Sequence, residues 1–341
     1  MTGAVMVNTI DLDQLDRQIL RALQLNPRVP FSRIGAALDV SEQTVARRYR
    51  RLHRAGAMRV VAAVDPRALG ESYWIVRIAT RPEATLDLGR ALSRRDDIAW
   101  VSIGAGSDIV CAVRSHNARD REGLLVDRLP RTTAVLDVAA FVVLRRFVGG
   151  SASDWVGLQD VLTSAQEAHI GRHTPSDSRT APIDTGLRLD RCDYAMLDVL
   201  ARDGRAGYGE LARAAGLSEG RVTRRLAALL DCGVVYFDVD LAGAALGFPM
   251  SAYIWLTVAP AHIEAACAAL SRHPEAPFVA AISGRANVVV SVTCRDLDEL
   301  YEYATARLGA IEGVQAIEVA PVMRRLKQAG ALVDGDRLAV R

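Results

Sequence analysis

The sequence predicts an α+β protein made of two similar copies, each with a winged-type helix-turn-helix module followed by a ferredoxin-like βαββαβ domain. Three observations support this fold class. An amphipathic segment over residues 40–56 carries a row of arginines, and the periodicity changes from helical to strand-like after Gly70. Residues of the first half also recur in the second half at a constant offset.

Composition limits the class of protein. The chain has 341 residues, of which 50% are hydrophobic and 24% charged, with a formal net charge of +2. This length favours at least two domains, and so small a net charge does not by itself indicate nucleic-acid binding. Five scattered cysteines without C-x-x-C spacing indicate a reduced, cytoplasmic protein. Residues 241–261 are uncharged but contain two prolines and two glycines, so a loop and a buried strand are expected there rather than a membrane span.

The N-terminal region is predicted to form three short helices. Residues 11–25 and 31–38 place apolar side chains at helical spacing, and Asn26-Pro27-Arg28 separates the two segments. Asp39-Val40 then turns the chain into a third helix over residues 40–56. Two short helices joined by a tight turn are typical of a helix-turn-helix module.

The third helix has two unlike faces. Ser41 is a favourable N-cap residue, and Val45 and Leu52 lie on an apolar face. The opposite face displays Gln43 and Thr44 followed by a row of arginines. This face suits a DNA groove, because phosphates attract the positive charge and base edges meet the polar first turn. The alternative is a basic face exposed only to solvent.

The next region changes to strand periodicity. Residues 57–64 are expected to form a two-stranded wing or a connecting strand. After Gly70 the pattern predicts a βαββαβ segment of the ferredoxin-like type. Its elements are predicted at residues 73–80, 84–93, 98–103, 109–113, 119–129 and 135–144.

The second half repeats the first. Leu12-Asp13-x-x-Asp16 recurs as Leu189-Asp190-x-x-Asp193, which is an offset of 177 residues, and the ungapped matches continue for nearly sixty residues. Such matching indicates a tandem duplication. The second βαββαβ segment is predicted at residues 253–258, 263–270, 278–282, 288–293, 297–308 and 314–322.

These elements predict five regions along the chain. A segment joins the two copies, in which residues 155–170 are expected to form an amphipathic helix and residues 172–186 a flexible linker. The length of this segment leaves open whether the copies pair within one chain or between chains. The regions are a helix-turn-helix domain at 1–64, a ferredoxin-like domain at 65–150, a helix and linker at 151–186, a second helix-turn-helix domain at 187–241 and a second ferredoxin-like domain at 242–341; the family resemblance given below makes the two ferredoxin-like domains effector domains.

The motifs resemble the leucine-responsive/asparagine-regulator (Lrp/AsnC) family of transcriptional regulators. The resemblance rests on Leu12-Asp13-x-x-Asp16-x-x-Ile19-Leu20, on Asn26-x-Arg28 and on Ser41-x-x-x-Val45-x-x-Arg48-x-x-x-Leu52-x-x-x-Gly56. It covers nearly the whole chain twice, outside the linker. It implies a cytoplasmic regulator that binds double-stranded operator DNA and responds to a small effector such as an amino acid. It also implies self-association, as an intrachain pseudo-dimer or a homo-oligomer. No cofactor is expected.

The resemblance assigns DNA contacts to the third helix of each module. Gln and Thr can bond base edges, Arg can read guanine, and further arginines can pair with phosphates. Because Arg51 and Arg54 are replaced by Ala228 and Asp231, the second module is expected to bind DNA more weakly or to be structural only. The assigned residues are Ser41, Gln43, Thr44, Arg47, Arg48, Arg51, Arg54, Ser218, Arg221, Arg224 and Arg225.

The resemblance places effector binding at the turn between the second and third strands of each effector domain. Small residues would expose backbone N–H groups there, while Asp108 would meet an ammonium group and Arg285 a carboxylate. An ordinary tight hairpin is the alternative. Asn287 stands where the family has an acid, which puts amino-acid sensing by the second copy in doubt. The candidates are Gly104, Gly106, Ser107, Asp108, Gly284, Arg285 and Asn287.

Two other functions remain open. Siroheme decarboxylases are similar in domain plan, so an enzyme of that type is one alternative, and a metabolite-binding protein that has lost DNA binding is another. An enzyme has no need for the arginine row, and no histidine pair repeats between the halves. His169 and His173 are more typical of surface residues than of metal ligands. The sequence therefore favours a regulator without enzymatic activity.

Overall fold

The first module folds as the sequence predicts. The computed structural model describes residues 12–114, 118–150, 155–171, 189–335 and 337–339. Helices α1 (Gln14–Leu25), α2 (Phe31–Leu38) and α3 (Glu42–Arg54) lie close to their predicted bounds. Asp13 caps α1 through a reciprocal capping box with Asp16, and Asp39 ends α2 in the left-handed conformation. The cap and the turn thus fix where these helices begin and end.

The second module repeats this geometry. Helices α7 (Arg191–Leu200), α8 (Tyr208–Ala215) and α9 (Glu219–Asp231) correspond to the first three. The capping box recurs with Asp190 and Asp193, and Gly216 takes the left-handed position of Asp39. The repeated cap and turn extend the tandem duplication from sequence to backbone conformation.

The segment after each module forms one strand rather than a two-stranded wing. β1 (Met58–Val64) pairs antiparallel with β6 (Val235–Leu241), with Met58 opposite Leu241 and Val64 opposite Val235. We call this two-stranded sheet the ribbon. It pairs the copies within one chain, which the sequence had left open.

The effector domains have the predicted order of elements. The first contains β2 (Tyr73–Thr80), α4 (Thr85–Ser93), β3 (Ile98–Gly104), β4 (Asp108–Arg114), α5 (Ala118–Glu122) and β5 (Val135–Val148). The second contains β7 (Met250–Val258), α10 (Ile263–Leu270), β8 (Phe278–Ile282), β9 (Val288–Cys294), α11 (Leu297–Glu302) and β10 (Val314–Gln328). Helices α5 and α11 each continue into a short π-helical segment, at Gly123–Arg128 and Tyr303–Arg307.

The two long strands join the effector domains into one closed structure. β5 pairs first with β2 and then with β8, whereas β10 pairs first with β7 and then with β3. The order β10-β3-β4-β2-β5-β8-β9-β7 closes through the β10–β7 pairing, and we call these eight strands the ring. Buried side chains from both copies, among them Ile75, Tyr253 and Trp255, pack together inside it.

Two segments that the sequence left unassigned or misjudged cover the first module. Only α6 (Ser164–Ile170) is an α-helix where residues 155–170 were expected to form one; Ile170 is buried in the core of the first module and Glu167 pairs with Arg21 at 2.8 Å. Strands β11 (Ala331–Asp334) and β12 (Arg337–Leu338) return from the second copy and place Leu338 in the same core. The linker predicted at residues 172–186 lies outside the described residues.

The uncharged stretch at residues 241–261 holds the end of the ribbon, a loop and the buried strand β7, as predicted. Among the described residues, no helix is long and apolar enough to cross a membrane.

Candidate nucleic-acid interface

The first turn of α3 contains polar side chains that are hydrogen-bonded at the start of the helix and one polar side chain that is open to solvent. The Ser41 hydroxyl accepts a hydrogen bond from the backbone N–H of Thr44 at 3.1 Å and lies 3.0 Å from the Thr44 hydroxyl. Ser41 therefore starts the helix, as predicted, and its side chain is already engaged. Gln43 is exposed at the same end of the helix. Of these three polar residues, Gln43 offers the side chain most open to a base edge.

Two arginines of α3 are held by acidic residues of α1. Arg48 donates to Asp13 and, at 3.2 Å, to Asp16, and Arg51 also donates to Asp16. The Asp16 side chain is fully buried, while that of Arg48 is 26% exposed. The hydrogen bond to Asp13 raises the pKa of Arg48. These ion pairs hold α3 against α1, and we call them the clamp. Arg48 therefore stabilises the module, and its guanidinium is already engaged within the protein before any contact with DNA.

The same clamp recurs in the second module. Arg225 donates from Nε and Nη2 to the two carboxylate oxygens of Asp193, at 2.8 and 2.6 Å. Burial opposes ionisation of Asp193, but the hydrogen bonds from Arg225 and from the backbone of Asp190 lower its pKa. The bidentate geometry identifies the repeated Asp and Arg pair as a structural feature of both modules.

The remaining basic residues point into solvent. Arg47 and Arg54 are exposed on α3, and Arg221 and Arg224 are exposed on α9; none of the four has an ion pair within the described part of the chain. Ser218, the N-cap residue of α9, is also exposed. Each module therefore presents free guanidinium groups on its third helix, with the larger number of arginines on the first.

Arg28 links the first module to the second. Its guanidinium donates to the carbonyl oxygen of Gly204 at 2.6 Å and to that of Ala206 at 2.9 Å. It also lies over the rings of Tyr208 and Phe237, at 5.3 and 5.5 Å from their centroids. The hydrogen bonds to two carbonyls and the stacking on aromatic rings both favour arginine, because its planar guanidinium can make the two kinds of contact at the same time.

Arg205 makes the reciprocal contacts. It donates to the carbonyl oxygens of Pro27 at 2.7 Å and Val29 at 2.9 Å, and it lies 4.4 Å from the centroid of Phe31. The sequence placed Arg28 and Arg205 at matching positions but assigned neither a role. Because the two arginines are equivalent at the offset of 177 residues, a reciprocal contact between the two copies could have been predicted at these positions.

In the turn of the first effector domain, the acidic residue Asp108 forms an ion pair within the protein. Arg77 donates to Asp108 at 2.8 and 2.9 Å and to Glu318 of the second copy at 2.6 Å. Ser107 is left-handed, with φ 63°, and its carbonyl accepts from the Thr80 hydroxyl. Asp108 is therefore part of an ion-pair cluster that joins the two copies. Gly104 is the last residue of β3, and Gly106 lies in the turn that follows it.

The turn of the second effector domain is also internally bonded. The Asn287 side chain accepts from the backbone N–H of Val258 at 2.9 Å and donates to its carbonyl at 2.7 Å. Gly284 has φ 110°, and a Cβ atom there would lie 2.9 Å from the ring of Phe141 in the first copy. Arg285 is exposed. Of the polar side chains predicted for effector binding, Arg285 is the most accessible.

The histidines do not form a metal site within the described residues, which hold no cluster of three or more potential ligands. His273 lies against Tyr303, with Nδ1 3.2 Å from the phenol oxygen. Burial, reinforced by Arg307 and Arg272, lowers its pKa to about 4. His173 lies outside the described residues, so the prediction that His169 and His173 are surface residues rather than metal ligands stays untested for this pair.

Comparison with protein families agrees with this geometry. The AsnC-type helix-turn-helix domain matches residues 12–53 and 189–230, and the Lrp/AsnC ligand binding domain matches residues 251–332. Together with the ring of effector strands, the matches define a protein with paired helix-turn-helix modules and a ligand-binding domain.

Curated relatives identify the family. The chain is 30% identical over 131 residues to an uncharacterized HTH-type transcriptional regulator of Pyrococcus furiosus, covering 38% of this chain and 88% of the relative. It is 27% identical over 141 residues to the HTH-type transcriptional regulator FL11 of Pyrococcus horikoshii, covering 41% of this chain and 93% of the relative. The chain belongs to the Lrp/AsnC family of transcriptional regulators. Each relative spans less than half of the chain, in keeping with two copies here.

A solved structure resembles the whole chain. The siroheme decarboxylase NirDL covers 93% of this chain, and 93% of that structure is covered in return, with a TM-score of 0.62 and 13% sequence identity. At this identity the likeness shows a shared fold alone.

Proposed function

We propose that the chain binds operator DNA as a preassembled pseudo-dimer, without needing a second chain to pair its helix-turn-helix modules. The observation that carries this proposal is the paired geometry: the ribbon and the Arg28 and Arg205 contacts join the modules, while arginines of α3 and α9 stay exposed. Two fixed recognition helices suit two neighbouring half-sites on one duplex.

The two modules contribute unequally in this proposal. Gln43 and Arg47 are the base-reading candidates of the first module, with Arg54 and the outer part of Arg51 near phosphates. Arg221 and Arg224 make the corresponding contacts of the second module, where Gly220 replaces Gln43. Ser41, Thr44, Arg48 and Arg225 act mainly by positioning the helices, whereas the exposed Ser218, whose side chain makes no capping hydrogen bond within the described residues, stays a candidate DNA contact. We expect an operator with one strong and one weak half-site.

The proposal is tested with a duplex selected from a random-sequence pool by the wild-type protein. Fluorescence anisotropy gives the dissociation constant of this duplex over a range of salt concentrations. Arg47→Ala is expected to raise it about five- to 150-fold, since a good base contact contributes about 1–3 kcal/mol of discrimination. Arg224→Ala is expected to raise it less. Arg90→Ala, which replaces an exposed residue of α4, is the matched control and should stay within twofold. Unchanged affinity in Arg47→Ala would refute the assignment of α3.

We propose further that the ligand-binding domain responds to a small molecule and that the chain is not an enzyme. The exposed Arg285 and the backbone of the Gly106 turn are the remaining effector candidates at the turns. A decarboxylase of the NirDL type is the second candidate function, favoured only by the common fold. Incubation of the purified protein with siroheme, followed by mass spectrometry of the tetrapyrrole, separates the two. A regulator leaves its mass unchanged, whereas loss of carbon dioxide would make the chain an enzyme.

A further inference from the structure

A large cavity lies between the ribbon and the ring. It has a volume of about 1120 Å³, with β1 and β6 on one side and β2, β4, β7 and β9 on the other. Small-molecule sites commonly occupy about 300–1,000 Å³, so this cavity is large enough for an organic ligand. None of the predicted effector residues at the two turns lines it. It is therefore a separate place from the sites predicted by sequence.

Three buried polar atoms at this cavity have no hydrogen-bond partner in the described part of the chain. They are Nε of Arg59, Oδ2 of Asp240 and Oε1 of Gln24, all from residues that line the cavity. The three residues are 8%, 5% and 8% exposed, respectively. Because buried polar atoms in folded proteins are nearly always paired, three such atoms on residues that line one cavity indicate a missing partner.

The charged pair in the ribbon is not satisfied by itself. Arg59 lies directly opposite Asp240 across the two strands, yet the described residues show no ion pair between them. Asp240 instead accepts a hydrogen bond at Oδ1 from Gln328. Burial lowers the pKa of Arg59 and raises that of Asp240. A buried guanidinium without a carboxylate partner is costly, and an anion would offset that cost.

The wider wall favours an anion with an apolar body. Among the described residues, eight arginines, one lysine and five acidic side chains line the cavity, so its charge is positive overall. Aromatic side chains line it as well, including Tyr73, Trp100, Tyr236 and Phe278. Apolar walls with a few polar groups are typical of sites for organic ligands rather than for inorganic ions.

We propose that this cavity is a binding site for an organic anion. Its carboxylate, sulfonate or phosphate pairs with the guanidinium of Arg59, and Gln24 and Asp240 supply further polar groups of the cavity lining. The apolar part of the ligand packs against the aromatic side chains. The site joins both helix-turn-helix modules to the ring, because Arg59 and Asp240 come from the two strands of the ribbon. Its regulatory consequence rests on the proposed DNA-binding function: a ligand that prefers one arrangement of the ribbon shifts DNA affinity.

The probe for this site is 8-anilinonaphthalene-1-sulfonate, an aromatic anion whose fluorescence rises in apolar surroundings. Calorimetry and fluorescence on the full chain, without DNA, are expected to give one probe molecule per chain. Arg59→Met is expected to raise the dissociation constant at least tenfold, whereas the control Arg90→Met stays within twofold. A second variant, Ala63→Phe, adds a ring to a cavity-lining position of the ribbon while Arg59 is kept, and is also expected to weaken binding. Circular dichroism verifies that each variant is folded.

The results separate this proposal from the proposed function. If wild-type protein does not bind the probe, or if Arg59→Met and Ala63→Phe both bind it within twofold of wild type, the cavity proposal is overturned while DNA binding stands. If the probe binds through Arg59 but the wild-type chain selects no duplex, the DNA-binding function is overturned and the cavity proposal is supported.

Discussion

Arg28 and Arg205 make reciprocal contacts across the pseudo-twofold axis of the two helix-turn-helix modules. Each guanidinium donates to two backbone carbonyls of the loop that contains the other arginine, at 2.6–2.9 Å. Burial lowers the pKa of Arg205, and the nearby charge of Arg28 adds to this effect. The two like charges are therefore held close together by their hydrogen bonds and by the aromatic rings beside them.

Replacing either arginine by lysine should weaken the pairing of the modules. Lysine lacks the planar fork, so it cannot serve both carbonyls and the aromatic rings. We expect Arg28→Lys and Arg205→Lys each to lower the free energy of unfolding by about 1–3 kcal/mol, since hydrogen bonds from charged groups are lost. Urea denaturation measures this change, with Arg90→Lys as control. The double variant should lose less than the sum of the single losses, because removing one side already loosens the other. Full additivity would mean that the two contacts are independent.

The clamps between α1 and α3 and between α7 and α9 should differ in strength. Arg225→Ala leaves the buried Asp193 without its arginine, whereas Arg48→Ala leaves Asp16 with Arg51. We expect a loss of about 3 kcal/mol in the free energy of unfolding for Arg225→Ala, because an uncompensated buried charge is strongly destabilising. The loss for Arg48→Ala should be about 1 kcal/mol. Thermal and urea unfolding test the order, and equal losses would contradict the proposed role of Arg51.

Gly284 should tolerate a methyl group poorly. Its φ of 110° is rarely adopted by other residues, and the added Cβ would meet the ring of Phe141 at 2.9 Å. We expect Gly284→Ala to cost about 2 kcal/mol or more in the free energy of unfolding. Gly106→Ala, where nothing lies within 4 Å of the added atom, is the matched control and should be close to neutral. A neutral Gly284→Ala would show that this turn rearranges easily.

Local features were predictable from the sequence because they depend on neighbouring residues. The N-cap at Ser41, the turn at Asp39 and the bounds of α2 follow from residue type and spacing. Because the second copy matches the first at an offset of 177 residues, the same local features could be predicted there. Periodicity likewise located the strands of both effector domains within a few residues.

Pairing between the copies was not predictable in the same way. The alternation of apolar and polar residues along β1 and β6 predicts which side chains share a face of each strand. It does not predict which strand pairs with which. The ends of β5 and β10 extend beyond their predicted bounds because they pair with the other copy, a partner that local periodicity does not reveal. The ion pair of Arg48 was not predictable for a related reason, since its partner Asp16 is 32 residues away in sequence.

His273 should make the folded state sensitive to acid. Its pKa in the folded protein is about 4, against 6.5 for an unperturbed histidine, chiefly because of burial. Between these pH values the unfolded chain binds a proton at His273 that the folded chain does not. The contribution of His273 to stability is therefore fully present above pH 6.5 and is lost as the pH falls towards 4. We expect this residue to account for about 1–3 kcal/mol of the loss in unfolding free energy across that range. Urea denaturation of wild type and His273→Gln at several pH values measures it, since carboxylates contribute equally to both proteins. The stability difference between the two should change with pH in this window only. A constant difference would contradict the lowered pKa of His273.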